Sequence, residues 1–289
     1  MKVDISEKCC LCYGSSRALN IAIDTSKTKN AVVYKKLLHN KHIMETLEKH
    51  GIKQKDDLHE FTPADYVIIR AHGEPKSTFE YLEQNNIPYA DCTCPNVKAI
   101  NKLVELKDND GFKIIIVGNY GFKSKKMHPE VYATSHWCND PILIEDISEV
   151  TNIDFSFDKY FLVVQTTFSS TKAEEIIAKL KSLMEAKHKE FKYLNTTCRA
   201  QIDINEASAE LARNVDKMIV VGGSNSSNTR LLYNNVSAIT TAYLVEGLNE
   251  VKKLVENGDI KDTDHIGLTG GASTMMEELY EIKSFLESL

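Results

Sequence analysis

Residues 218–228 read MIVVGGSNSSN, an apolar run rich in β-branched side chains, then two glycines, then hydroxyl and amide residues. The run is too short for a helix and reads as a buried strand. The glycines end it, and the polar stretch leads into a helix at RLLYNN, 230–235. The same pattern recurs at YVIIRAHGE (66–74), KIIIVGNYG (113–121), FLVVQTTFS (161–169) and HIGLTGGAS (265–273). Segments of helical period, such as AEEIIAKLKSLMEA (173–186) and LNEVKKLVENG (248–258), separate these runs. Strands alternating with helices in this way predict an α/β protein with mostly parallel sheets. Ligands of such sheets gather beyond the carboxyl ends of the strands, where every one of these polar turns falls. The expected architecture is three loosely repeated α/β modules, at 1–95, 96–194 and 195–289.

The rest of the chain narrows the class of function. Of its 289 residues, 42% are hydrophobic and 26% charged, as in ordinary globular proteins. A net charge of -6 and a pI near 5.9 argue against a nucleic-acid partner, which calls for a basic face. The one basic run, Lys123 to Lys126 in FKSKKM, is short and reads as a solvated loop. MKVDISEKCC at the start lacks the apolar core of a signal peptide. KIIIVG, the greasiest stretch, is far shorter than the roughly 20 residues a bilayer crossing needs. A cytoplasmic protein without a membrane partner is expected, and in that reducing compartment seven cysteines do not suggest a disulfide framework.

Three of those cysteines stand at matching punctuation. Cys12 leads into YGSSRALNIAIDT, Cys94 into PNVKAINKLVELK and Cys198 into RAQIDINEASAELAR, each reading as a helix start. Pro95 suits a first helical position, where its missing N–H costs nothing. A helix N-terminus stabilises a thiolate and the anionic cluster that thiolates bind, so these positions suit a [4Fe-4S] cluster. A buried small hydrophobe is the competing reading for each one alone. Cys9, Cys10, Cys92 and Cys138 leave a zinc or electron-transfer site as a rival, although the C-x-C pairs in CCLC and CTC do not repeat in the usual paired C-x-x-C form.

The polar turns collect a second set of candidates. His39 and Asn40 precede KHIMETLEKHG, His72 follows the strand YVIIRA, and His128, Pro129 and Glu130 follow the lysine-rich loop. Ser224 to Asn228 and the GGAS turn ending at Ser273 both join a strand to a helix, where hydroxyls and free N–H groups form anion-binding nests. A simple capped turn is the alternative for SNSSN. Neither turn is a Walker sequence, so nucleotide hydrolysis is not indicated.

Taken in order, these motifs resemble the 4-hydroxy-3-methylbut-2-enyl diphosphate reductases of the non-mevalonate isoprenoid pathway. The resemblance runs through Cys12-Tyr-Gly-Ser-Ser-Arg-Ala, His39-Asn40, Ala71-His72-Gly73, Thr93-Cys94-Pro95, His128-Pro129-Glu130-Val131, Gln165-Thr166-Thr167, Cys198, Ser226-Ser227-Asn228 and Gly271-Ala272-Ser273. It implies a trefoil-like arrangement of the three modules around a central [4Fe-4S] cluster on Cys12, Cys94 and Cys198, with one iron lacking a cysteine ligand. It further implies that His39, His72, His128, Ser226, Asn228 and Ser273 hold a diphosphate with Ser227 close by, and that Glu130 and Thr167 manage the proton and the hydroxyl. Products would be isopentenyl and dimethylallyl diphosphate. Electrons would come from an external donor such as ferredoxin or flavodoxin, because the chain carries no flavin or nicotinamide fingerprint.

Three departures stand out: Cys9 and Cys10 beside the expected ligand, an insertion around FKSKKM before His128, and Arg199-Ala200-Gln201 with Ile204-Asn205 where Ala-Thr and Arg-Gln are usual. They suggest a diverged paralogue acting on another small phosphorylated or sulfur-containing ligand. A non-catalytic iron–sulfur carrier or sensor would follow if Cys9, Cys10 or Cys92 closed the cluster.

Overall fold

The computed structural model describes the chain except His39, Asn40, Asn225 and Ser273, and leaves out the side chains of Lys41, His42 and Ser227. The candidates His39, Ser273 and the Ser227 side chain therefore lie outside the described residues. The fold is α/β, with three four-stranded parallel sheets and helices between the strands. One sheet has the order β1 (Lys2–Ile5), β12 (His265–Gly270), β10 (Lys217–Val221), β11 (Thr241–Val245). A second runs β3 (Lys53–Lys55), β2 (Ala31–Tyr34), β4 (Tyr66–Ile69), β5 (Tyr89–Asp91), and the third β7 (Ile142–Ile144), β6 (Lys113–Val117), β8 (Lys159–Val164), β9 (Glu190–Leu194). The longer helices are α1 (Tyr13–Ser26), α2 (Lys41–Lys49), α3 (Lys76–Gln84), α4 (Pro95–Asn109), α5 (Pro129–Ser135), α6 (Ser170–Ala186), α7 (Arg199–Ala212), α8 (Ser227–Ser237), α9 (Leu248–Glu256) and α10 (Met276–Glu287).

Burial on both faces explains why the middle strands are apolar without a break. In β6, Ile115 and Val117 enter one hydrophobic cluster while Ile114 and Ile116 enter another, as the two-residue period of a strand requires. Its neighbour β8 divides likewise, with Leu162 and Val164 on the first side and Phe161 and Val163 on the second. Leu162 is fully buried, so Leu162→Ala is expected to destabilise the fold by about 2–5 kcal/mol through lost transfer energy and the cavity left behind. The shift in chemical-denaturation midpoint measures it, and a loss under about 1 kcal/mol would contradict this packing.

The chain forms two compact units, one of Met1–Lys27, Lys36–Lys53 and Arg199–Leu289, the other of Thr28–Lys35 and Gln54–Cys198. Strand β1 pairs in parallel with β12, Val3 opposite Ile266 and Ile5 opposite Leu268, and Val3 is buried in that sheet's core. A short bond of 2.7 Å between Asp4 Oδ2 and His265 Nε2 ties the same two strands, and it holds the Asp4 carboxyl below its ordinary pKa. Among the described residues no helix is long and apolar enough to cross a membrane.

Candidate functional site

In the unit containing β4, β6 and β8, the chain leaves each of these strands into a polar turn. After β4, Gly73 takes a φ of +78°, and a Cβ there would approach Thr93 Cγ2 at 3.2 Å, so glycine suits the turn on both counts. Beyond it the fully buried Glu74 carboxylate meets Arg70 Nε at 2.5 Å and Lys35 Nζ at 3.1 Å. Two cations on one buried carboxylate, with Trp137 Nε1 donating to the Glu74 carbonyl at 3.1 Å, fix the backbone on the C-terminal side of His72. On its other side, the Ala71 carbonyl accepts the Cys94 N–H at 2.9 Å. Cys94 is the N-cap of α4, with Pro95 in the first turn behind it.

His72 and His128 come together, their ring centroids 5.3 Å apart. His128 caps α5, and its Nδ1 accepts the Glu130 N–H at 3.2 Å. An accepting Nδ1 places the proton of a neutral ring on Nε2, a tautomer suited to donating to an anion. Close packing sets the position of α5. A Cβ on Gly118 would lie 2.6 Å from Val131 Cγ2 and 2.9 Å from Gln165 Cβ.

Glu130, in the first turn of α5, is buried at 3% exposure, and its two carboxylate oxygens accept the Thr166 N–H and the Thr166 hydroxyl, both at 2.6 Å. Burial pushes its pKa up to about 7, against the two Thr166 bonds that favour the charged form. The Thr166 carbonyl accepts the Cys198 N–H at 2.7 Å, so one residue links the acid to the third cysteine. Next along, Thr167 Oγ1 accepts from Gln165 Nε2 at 2.6 Å, which turns the hydroxyl proton of Thr167 away from Gln165. Cys198 directly precedes α7, and its sulfur accepts from Asn96 Nδ2, in the first turn of α4, at 3.7 Å. The second and third cysteines are thus brought to neighbouring helix starts. Sequence reading assigned no role to Thr166, Gln165 or Asn96; the strand end QTT was visible, but which residue would grip the acid was not.

The other unit carries the remaining candidates. Cys12 is the N-cap of α1, with its N–H on the Ala272 carbonyl at 3.4 Å and its sulfur 3.4 Å from Ser15 Oγ. It packs with Ile204 and Ala272 on the face of the sheet that takes Met218 and Val220. Cys10 belongs to the opposite face, in the core with Val3, Ile219 and Val221. Its φ of +68° turns the chain between the two faces. The neighbouring Cys9 sulfur and burial both raise the Cys10 pKa, keeping it a thiol. Cys138, in the other unit, is pushed up to about 12 by burial. Cys92 is fully buried, and all seven cysteines are free of disulfides.

Ser226 caps α8, its Oγ accepting the Thr229 N–H at 3.3 Å and keeping its own proton to donate. The Val221 carbonyl at the end of β10 accepts Thr274 Oγ1 at 2.8 Å and the Gly271 N–H at 3.2 Å, joining the two polar turns. On α7 and α8, which pack together, several buried side-chain atoms have no hydrogen-bond partner among the described residues: both amide atoms of Gln201, Asn205 Oδ1, Asn228 Oδ1 and Thr229 Oγ1. Each such atom costs about 1–3 kcal/mol when left unpaired, so the group has the chemistry of a polar ligand site. Gln201 and Asn205, one turn apart on α7, are two of the sequence departures noted above.

Among the described residues no three His, Cys, Asp or Glu side chains are gathered as metal ligands. The three cysteines at helix starts nevertheless fit a cluster chemically, because each is a soft sulfur donor at the helix end whose partial positive charge suits an anionic cluster.

The family described as LytB protein matches residues 3–287. The 4-hydroxy-3-methylbut-2-enyl diphosphate reductase of Caldanaerobacter subterraneus subsp. tengcongensis is 35% identical, over 98% of this chain and 97% of its own. That of Clostridioides difficile is 31% identical over the full length of both. Among solved structures, the Plasmodium falciparum E-1-hydroxy-2-methyl-but-2-enyl-4-diphosphate reductase is similar with a TM-score of 0.83 and 25% identity, over 98% of this chain and 87% of its own. A structure of (E)-4-hydroxy-3-methyl-but-2-enyl diphosphate reductase, described as the terminal enzyme of the non-mevalonate pathway, matches the whole of both chains with a TM-score of 0.75 and 28% identity. The chain belongs to the LytB protein family.

Proposed function

We propose that this chain is an iron–sulfur reductase that removes the hydroxyl of 4-hydroxy-3-methylbut-2-enyl diphosphate to give isopentenyl and dimethylallyl diphosphate. Cys12, Cys94 and Cys198 are the proposed ligands of a [4Fe-4S] cluster. When bound, the cluster supplies electrons singly and a Lewis-acidic iron for the hydroxyl oxygen. Loss of the hydroxyl consumes two electrons and two protons and releases water. The observation that carries the reading is Glu130, a buried carboxyl with a pKa near 7 that hydrogen-bonds the residue whose carbonyl holds Cys198. Such a group holds a proton near neutral pH and delivers it to the leaving oxygen. Thr167, its hydroxyl already accepting from Gln165, directs a proton toward the substrate oxygen.

The diphosphate is assigned to His39, His72, His128, Ser226, Asn228 and Ser273, with Ser227 close by. Support comes from the Nε2–H tautomer of His128, the donor left on Ser226, and the buried Asn228 Oδ1, which has no partner among the described residues and whose amide can be turned to present its nitrogen instead. Charge-assisted hydrogen bonds of about 1.5–3 kcal/mol each make the diphosphate the main source of binding energy, since a five-carbon chain gains only a few kcal/mol. Electrons come from an external carrier in a reducing cytoplasm.

Turnover of the hydroxylated diphosphate under anaerobic conditions with dithionite tests the activity, and inorganic diphosphate should bind the cluster-loaded protein and compete. The Gln201 amide and Asn205 Oδ1, buried atoms without a partner among the described residues, favour a second reading, in which the same machinery takes a different small phosphorylated ligand. Diphosphate binding without turnover of the hydroxylated diphosphate would support that second reading. Absence of diphosphate binding would remove the anion assignment from both.

A further inference from the structure

The inserted loop before His128 is built as a surface for contact rather than as slack chain. Its ends are closed by the His128 N–H on the Asn119 carbonyl at 2.8 Å. Glu145 accepts the Gly121 N–H at 3.1 Å, Glu149 accepts the Tyr120 hydroxyl, and Ser124 Oγ donates to the Lys126 carbonyl at 3.0 Å. Within this frame Phe122 stacks on Tyr120, with centroids 6.4 Å apart and ring planes at 16°, yet remains 53% exposed. Met127 is also exposed, and so are Lys123, Lys125 and Lys126. Lys123 meets Asp146 at 3.5 Å across the surface, a pair that is mostly solvated and weakly neutralising. On a chain of net charge -6, the pinned loop sets three exposed lysines around an exposed Phe and Met, outermost over the less exposed Glu145, Asp146 and Glu149 that hold it. Phe and Met are side chains enriched at protein interfaces.

The loop also lies close, along the chain and its contacts, to one of the cysteines. Met127 adjoins His128, the His128 ring meets His72, and the carbonyl of Ala71, the residue before His72, holds the Cys94 N–H. All of these residues belong to one compact unit.

We propose that the loop from Phe122 to Met127 is the docking site for a small acidic electron-carrier protein. The inference rests on the reductase reading above, which requires electrons from outside a chain that has no flavin or nicotinamide fingerprint. Lys123, Lys125 and Lys126 steer an acidic face toward the loop, and Phe122 and Met127 provide the dry centre of a small, transient, salt-sensitive contact.

The test uses the cluster-loaded full chain, an acidic iron–sulfur ferredoxin as probe, and the triple variant Lys123→Glu, Lys125→Glu, Lys126→Glu at exposed positions, its fold checked by circular dichroism. Calorimetry at several salt concentrations should show ferredoxin affinity falling about ten-fold or more in the variant, with the salt dependence largely gone. Ferredoxin-driven turnover should fall by a similar factor while dithionite-driven turnover is unchanged. Phe122→Ala should weaken binding but keep the salt dependence. Equal ferredoxin affinity in wild type and triple variant overturns the proposal, as does a wild type that binds heparin but not ferredoxin. Loss of ferredoxin binding in the variant, in a protein with no dithionite-driven turnover of the hydroxylated diphosphate, would sink the reductase reading and leave the docking surface standing.

Discussion

Glu130→Gln is expected to lower turnover by about 10²- to 10⁴-fold while leaving the fold, the cluster and diphosphate binding in place. Gln has the shape of Glu, and its carbonyl can still accept the Thr166 N–H, while its amide nitrogen donates to the Thr166 hydroxyl in reversed polarity. What is lost is the proton. With burial holding the wild-type carboxyl near pKa 7, wild-type turnover should decline as pH rises through about 7, because the acid form disappears. The residual activity of the variant should lack that limb. Thr166→Val removes one of the two bonds that favour the carboxylate, so its falling limb should move to higher pH. Folding stability follows the same group. The neutral carboxyl is tolerated in its buried position, so its contribution is fully present below the unfolded pKa of 4.5 and lost as pH rises through about 7. Denaturation curves of wild type and Glu130→Gln should diverge across that window. Near-normal anaerobic turnover in Glu130→Gln removes this residue from the mechanism.

Cys94→Ser and Cys198→Ser should each bring iron content and visible charge-transfer absorbance close to zero, and Cys12→Ser should do the same. A serine hydroxyl, neutral and hard at pH 7, is no substitute for a soft thiolate ligand. Cys138→Ser should keep the cluster, since burial holds that thiol protonated and its sulfur donates to the Ser135 carbonyl at 3.8 Å. Cys10→Ala is the more discriminating comparison. Because Cys10 packs in the core on the opposite face of the sheet from Cys12, the variant should lose stability through its small cavity and retain iron. Equal loss of iron in Cys10→Ala and Cys12→Ser, with circular dichroism unchanged in both, would show that the N-terminal ligand is misassigned. Intact absorbance in Cys94→Ser would end the cluster assignment.

The residues themselves determined the α/β class and the chemical inventory. YVII, KIIIV, FLVV, MIVV and HIGLTG are apolar enough to be recognised because each lies inside its sheet and is buried on both faces. Strand β9, EFKYL, is largely exposed at an edge, and β3 is the polar KQK, so neither carries a pattern that local reading detects. In α7 the buried face is Gln201, Ile204, Ser208 and Ala212, half of it polar, which is why its helical period is blurred in the sequence. The cysteines at helix starts were legible from Pro95 and the periodic runs behind them.

Tertiary structure decided the rest. Val3 and Ile5 reach a partner strand some 260 residues away, a pairing that no local pattern encodes. Cys10 and Cys12 look equivalent in CCLC and are separated only by the face of the sheet to which each turns. Glu130 is an ordinary glutamate in the sequence. Its pKa depends on burial and on Thr166, which is 36 residues distant along the chain and reaches it only once α5 and the end of β8 are packed together. Residue types set which chemistry is available, but desolvation and hydrogen bonding depend on neighbours far along the chain, and these exist only in the folded state.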